Sequence, residues 1–289
     1  MAPLSVSVRW LNEHLADEDL VVVDATNHLP VPTDGPYVPE SGAQTYRAEH
    51  IPGALFADLL GDFADPAAAE PWTAPDHERF AAAAGTLGIG DGARVVVYDQ
   101  HDGFWATRFW WHLRYEGFDS VTILDGGLPA WKAAGFEVTD VVPEPTPRTF
   151  TGTRRPELIR STEEIAANLE DEGTILVNVL DEATYRGEVD TYARRGHIPG
   201  SINLPVFTLR DPETGTLRPL EELREEFEKA GLLDEGTRVV TYCGGGIAAT
   251  GVAHALALAG RDDVAVYDGS MTAWAGNPDL PLVIGDSPR

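Results

Sequence analysis

Apolar residues in this chain gather into short dense runs, separated by stretches in which they recur every three or four positions. The first half holds three such runs, Val21–Val23, Val95–Tyr98 and Val121–Leu124. The second half holds three more, Ile175–Val179, Val239–Tyr242 and Val264–Tyr267. Runs this short, without polar alternation, predict strands covered on both faces. The stretches between them have helical spacing. In STEEIAANLEDEG, Ser161 or Thr162 can cap a helix and Glu164 can support its first turn. AATGVAHALALAG (248–260) predicts a helix closely following the Val239–Tyr242 strand. Strands alternating with helices predict an α/β fold, each sheet mainly parallel and flanked by helices.

The pattern is written twice. LVVVDAT, EHIPGALFADLL, ARVVVYDQ and VTILDGGLPAW follow one another in the first half. ILVNVLD, GHIPGSINLPVFTL, TRVVTYCG and VAVYDGSMTAW follow in the second. His50 matches His197, Tyr98 matches Tyr242, Asp125 matches Asp268 and Trp131 matches Trp274, at offsets of 147, 144, 143 and 143 residues. Four words in one order at so constant an offset mean a duplicated domain rather than a short-period solenoid. A chain of 289 residues suits two domains of roughly 100–200 residues each. The Pro-rich, polar stretch VVPEPTPRTFTGTRRPEL (141–158) reads as an extended linker. The expected organisation is a first domain over 1–142, a linker over 143–157 and a second domain over 158–289.

Composition narrows the partners. With 43% hydrophobic and 24% charged residues the profile is that of a globular protein with apolar material for two cores. The N-terminus lacks the apolar core of a secretory signal, and no segment approaches the roughly 20 apolar residues of a membrane span. A net charge of −26 opposes both nucleic acid and anionic membrane as partners. It also means that any anion site must gather its few arginines against an unfavourable background. A single cysteine forms no internal disulfide and builds no thiolate metal site, so no metal is expected. A reduced thiol in the cytoplasm is the corresponding expectation.

That one cysteine stands in TYCGGGIAATG (241–251). Cys243 ends a strand, and Gly244, Gly245 and Gly246 curl toward the helix entered through Ile247 and Ala248. Glycines let the backbone bring several N–H groups to one spot beside the positive end of a helix dipole. Such surroundings favour a thiolate over a thiol. They would equally hold a persulfide or the anionic end of a substrate. In the other copy the matching residue is Asp99, so one half keeps a nucleophile and the other a carboxylate.

With HIPG in both halves, LDGGLPAW and YDGSMTAW near each domain end, and YCGGG, the chain resembles the rhodanese family of two-domain sulfurtransferases from about Ser7 to Leu282. The resemblance implies two tandem rhodanese-like domains, the first catalytically silent and the second carrying Cys243. It implies transfer of a sulfane sulfur from a small anionic donor, through a Cys243 persulfide, to cyanide or a thiol acceptor, without cofactor. Arg186 in YRGE falls where the family places a substrate-binding arginine; Arg194 and Arg195 are candidates for a second. Each could equally form a surface pair with Glu188 or Asp190. Asp58 matches an aspartate that handles protons in the family, but Trp72 stands where that group's histidine would be, with His77 five residues away. Asn178 and Leu180 replace an Asp-x-Arg element. The loop carries no Lys or Arg, which is nearer to the mercaptopyruvate-using members than to the thiosulfate-using ones, although Gly245 stands at their hydroxyl position. His50, His197, Asp268, Trp274 and the aromatics Phe104, Trp105, Trp110 and Trp111 read as scaffold.

Two other readings compete. A cysteine phosphatase would need an arginine six residues beyond Cys243, where Ala249 stands. A persulfide carrier or partner-binding module without its own small donor would need only Cys243 and its loop.

Overall fold

The structure, a computed structural model, describes residues 3–30 and 38–287. It divides into two compact units. One comprises Met1–Arg155 with Pro212–Thr216, the other Pro156–Asp211 with Leu217–Arg289.

In the first unit, strands β1 (Ser5–Val6), β2 (Leu20–Asp24), β3 (Asn27–His28), β4 (Glu40–Ser41), β5 (Leu55–Phe56), β6 (Arg94–Tyr98) and β7 (Val121–Leu124) alternate with helices. The helices are α1 (Val8–His14), α2 (Ala43–Ala48), α3 (His77–Thr86), α4 (Phe104–Tyr115) and α5 (Gly127–Ala133). Five strands make one parallel sheet in the order β1-β7-β6-β2-β5, and β3 pairs with β4 antiparallel. In the second unit, strands β8 (Ile159–Arg160), β9 (Thr174–Asn178), β10 (Ile202–Asn203), β11 (Arg238–Tyr242) and β12 (Ala265–Tyr267) also make a parallel sheet. Its order, β8-β12-β11-β9-β10, repeats that of the first. Helices α6 (Thr162–Ala167), α7 (Glu182–Arg186), α8 (Leu220–Lys229), α9 (Ala249–Leu258) and α10 (Ser270–Gly276) accompany it. The valine runs sit centrally: Val21, Val22 and Val23 lie opposite Val95, Val96 and Val97, all buried. Burial on both faces explains the missing polar alternation.

The duplicated words have physical tasks. In each HIPG the histidine stacks on a tyrosine, His50 on Tyr46 at 4.2 Å and His197 on Tyr185 at 3.7 Å. The Nδ1 of each donates to that tyrosine's carbonyl. The isoleucine amide donates to a buried phenol, Ile51 to Tyr98 and Ile198 to Tyr242. The glycine takes positive φ, 81° at Gly53 and 84° at Gly200, where a side chain is strained. The tryptophans Trp131 and Trp274 donate to the carbonyls of Glu137 and Pro281 and close their cores. Trp105, Trp110 and Trp111 of α4 are buried in the first unit. Ser161 forms a full capping box with Glu164 at the start of α6.

The Pro-rich stretch is extended and lies against the first unit. The carbonyls of Thr146, Arg148, Thr149 and Thr153 come so close to Gly88, Gly85, Gly90 and Gly117 that a Cβ there would meet them at 2.2–2.7 Å. Arg154 pairs with the buried Glu116 and stacks over Tyr115. The segment is therefore seated on a glycine track, not a free tether.

Candidate active site

β11 ends at Tyr242, and Cys243 follows with only 3% of its surface exposed. The loop from Gly244 leads into α9 at Ala249, and within it Gly246 takes φ 74°. Among the described residues, the amides of Gly245, Ile247 and Ala248 donate to no protein acceptor. Four hydrogen bonds from the start of α10 clamp the chain at Cys243 and Gly244. The Cys243 amide donates to Ser270 Oγ at 3.1 Å. The Met271 amide donates to the Cys243 carbonyl at 3.0 Å, and Thr272 gives its amide and its hydroxyl to the Gly244 carbonyl at 2.9 and 2.8 Å.

Ser270 is buried and holds φ at 46° without being glycine, a conformation that costs about 1–3 kcal/mol. Its hydroxyl also donates to the Tyr267 carbonyl at 2.7 Å. The matching residue in the first unit is Gly127, at φ 56°. Ser270→Ala is expected to lose about 1–3 kcal/mol, because it leaves the buried Cys243 amide unpaired. Ser270→Gly loses the same bonds but relieves the positive φ, so it should lose less. Urea denaturation of both variants checks this; the reverse order would remove strain from the account.

The twin loop is filled. The Asp99 carboxylate is fully buried and accepts from three amides, those of His101 and Gly103 at 2.9 Å and of Ala106 at 3.0 Å. The Leu128 amide donates to the Asp99 carbonyl, as Met271 does to Cys243. Gly127 has no hydroxyl and Pro129 no N–H, so the rest of the clamp has no counterpart there. One copy holds its loop from within by a carboxylate; the other holds it from outside by α10. His101 also reaches His28, ring nitrogen to ring nitrogen, at 2.9 Å.

The arginines divide. Arg186 ends α7 and faces three carboxylates, Glu188 at 3.0 Å, Glu182 at 3.1 Å and Asp286 at 3.4 Å. The hydrogen bonds it donates to Glu182 and then to Glu188 raise its affinity for its proton above the ordinary guanidinium value. Arg195 pairs with the exposed Asp190. Arg194 spends its donors on the carbonyls of Ala275, Leu280, Trp274 and Asn277 at the end of α10. Asp58, in the first unit, accepts from the Leu60 amide at 3.1 Å and from the Ser41 hydroxyl at 3.4 Å. Trp72 is buried and gives its carbonyl to Arg108. His77 donates to Glu116 at 2.6 Å. Asn178 is buried at the end of β9, where its side-chain oxygen accepts the Leu180 amide. Among the described residues no three His, Cys, Asp or Glu side chains gather to hold a metal ion. No helix among them is long and apolar enough to cross a membrane.

Sequence reasoning missed Ser270, Thr272 and Tyr192. The first two stand where the duplicated word diverges, Gly127-Leu128-Pro129 against Ser270-Met271-Thr272, and that divergence is a readable signal.

A family model described as a rhodanese-like domain matches residues 7–134 and 161–277. The chain is 36% identical to thiosulfate/3-mercaptopyruvate sulfurtransferase 2 of Arabidopsis thaliana, over 98% of this chain and 88% of that protein. It is 34% identical to thiosulfate sulfurtransferase of Bos taurus, over 93% of this chain and 91% of that protein. It superposes on the crystal structure of a 3-mercaptopyruvate sulfotransferase from Escherichia coli with a TM-score of 0.80. That match has 31% identity and covers 93% of this chain and 99% of the other.

Proposed function

Because the chain belongs to the rhodanese family, with two rhodanese-like domains in tandem, we propose that it moves sulfur through Cys243. It is a sulfurtransferase of the thiosulfate or 3-mercaptopyruvate type. One observation carries the assignment of the site. In the first copy this loop grips a carboxylate with three amides, and in the second a thiol stands at the same position, its loop clamped by α10. A loop built to bind a negative charge at that point suits a thiolate and the persulfide it becomes.

The chemistry runs in two half-reactions. The Cys243 thiolate attacks the transferable sulfur of the donor, forming an S–S bond. With 3-mercaptopyruvate the carbon–sulfur bond breaks, its electron pair passes to the adjacent carbon as an enolate, and the thiol proton moves there to give pyruvate. With thiosulfate the S–S bond breaks and sulfite leaves with the pair. Cyanide or a thiolate then attacks the outer sulfur of the persulfide, and Cys243 departs as thiolate. The amides of Gly244, Gly245, Gly246, Ile247 and Ala248 steady the charge throughout. A reducing compartment such as the cytoplasm keeps the resting thiol available.

We assign donor binding to Arg186, assisted by Arg195, because their present partners are exposed carboxylates that a donor's carboxylate or oxyanion can replace. Arg194, tied to four main-chain carbonyls, secures the end of α10 instead. Asp58 is assigned to proton handling on the family resemblance. Arg186→Ala should raise KM for the donor about tenfold with kcat little changed. Steady-state kinetics reads this directly, and unchanged constants would take Arg186 off the donor's path. The overall test is intact-mass spectrometry after mixing with each donor: one added sulfur on Cys243 supports the mechanism, and none with either donor defeats it.

A further inference from the structure

Sulfur transfer makes no use of the two histidines that meet in the first unit. His101 Nε2 and His28 Nδ1 stand 2.9 Å apart, with the rings crossing at 63°. His101 is exposed and His28 half-buried. A bond between neutral imidazoles that water can reach adds only about 0.5–1.5 kcal/mol, so it is a weak reason for the arrangement. Each ring is also supported from behind. His28 Nε2 meets the Thr45 hydroxyl at 2.7 Å. The His101 amide donates to the buried Asp99 carboxylate at 2.9 Å. Gln100, one residue earlier, gives its amide to Thr26 Oγ1 at 3.0 Å and its side chain to Asp24 and to the Glu49 carbonyl, both at 2.9 Å. The pair therefore stands on two anchored stretches of main chain.

The spacing fits a chelate. Two nitrogens 2.9 Å apart, each about 2.0–2.1 Å from one ion, subtend about 90° at that ion. This is a cis pair of the square-planar or octahedral spheres of Cu2+ and Ni2+, narrower than the tetrahedral angle that zinc prefers. With its Nε2 proton donated to Thr45, His28 turns the Nδ1 lone pair toward the ion. Such an outer hydrogen bond fixes the ring and raises its strength as a ligand. His101 moves its proton to Nδ1 and offers Nε2, so the ion takes the place of the proton now held between the rings. Burial, and then His101, keep the proton affinity of His28 below the ordinary histidine value, against opposing pulls from Glu40 and Asp24. Glu40 lies opposite His28 in the β3–β4 ladder, and the chain's charge of −26 favours cations throughout. Among the described residues no third His, Cys, Asp or Glu completes a group with them, so water fills the remaining positions.

We propose that His28 and His101 form a binding site for one divalent transition-metal ion of the imidazole-seeking kind, Cu2+ or Ni2+. The site is independent of Cys243 and of sulfur transfer.

Isothermal titration of the tag-free, full-length chain with Ni2+ tests this, in a Cys243→Ser background so that the thiol cannot compete. One Ni2+ per chain is expected, with a Kd on the order of 10 µM. An excess of Mg2+ should leave it in place, because Mg2+ takes oxygen ligands rather than imidazole. His28→Ala and His101→Ala should each weaken binding about tenfold or more, and Thr45→Val about tenfold through ring orientation alone. His14→Ala, at an exposed histidine elsewhere, should change nothing. Lowering the pH from about 7.5 to about 5.5 should abolish binding, since protonated imidazole is no ligand. In the chain with both histidines intact, paramagnetic Ni2+ should broaden the ring-proton NMR signals of His28 and His101 and of no other histidine. That readout does not depend on how well the variants fold. Cu2+ should bind more tightly than Ni2+. Binding that Mg2+ displaces would reduce the site to the acidic surface and overturn the proposal. So would affinity unchanged in both histidine variants, broadening of a different set of histidines, or no saturation below about 1 mM.

Discussion

Cys243→Ser is expected to lower sulfur transfer by about 10³-fold or more with either donor. A serine hydroxyl stays protonated at neutral pH and cannot carry a sulfane sulfur as a leaving group. The substitution changes the side chain by one atom, so the clamp from Ser270, Met271 and Thr272, which bonds the main chain, should remain. The fold is therefore expected to stand, with a stability loss of no more than about 1–3 kcal/mol for the more polar atom at a buried position. Two measurements decide it. Thiocyanate formation in a cyanide assay should vanish, and the near-ultraviolet circular dichroism should match the parent. Transfer persisting in a variant that has no other cysteine would refute covalent catalysis through this residue.

The second large effect belongs to the copy without the thiol. Asp99→Ala should destabilise the first unit by about 3–5 kcal/mol. It strips the acceptor from the amides of His101, Gly103 and Ala106, and each buried donor left unpaired costs about 1–3 kcal/mol. The sum falls below three full penalties because His101 and Asp102 are exposed, so water can reach part of the opened loop. Asp99→Asn should lose less, as one oxygen still accepts while its NH2 faces a donor. Chemical denaturation, followed by the tryptophans of α4 and α5, measures this, and β11, Cys243 and α9 should keep their own transition. A loss under about 1 kcal/mol would mean that the carboxylate does not hold the loop, and the strongest support for an anion-binding Cys243 loop would go.

Much of the fold was legible because duplication and burial both leave marks in a linear pattern. The valine runs that became β2, β6, β9 and β11 had no polar alternation, as central strands of a covered parallel sheet do not. The edge strands β1, β5, β8 and β10 were not legible: each has two residues, too few to show any period. The order Tyr242, Cys243, glycines, helix could be read directly, since it is local along the chain. So could the exchange of Cys243 for Asp99, which needs only the offset between the two halves.

The arginines could not be apportioned in this way. Arg186, Arg194 and Arg195 lie within ten residues of one another, yet one faces three carboxylates, one threads four carbonyls at the end of α10 and one pairs with Asp190. The choice depends on which elements pack beside them. The same holds for Tyr192, which is 52 residues before Gly244 and meets it across the loop.

Local order along the chain was enough to place a nucleophile at a strand end beside a helix, and to show that its domain exists twice. How the chain at that nucleophile is held, by Ser270 and Thr272 with Tyr192 close against Gly244, emerged only from the packed fold. The reason is physical: backbone preference and hydrophobic period act over a few residues, whereas a hydrogen bond or a steric limit links atoms that meet only after the sheet and its helices have closed.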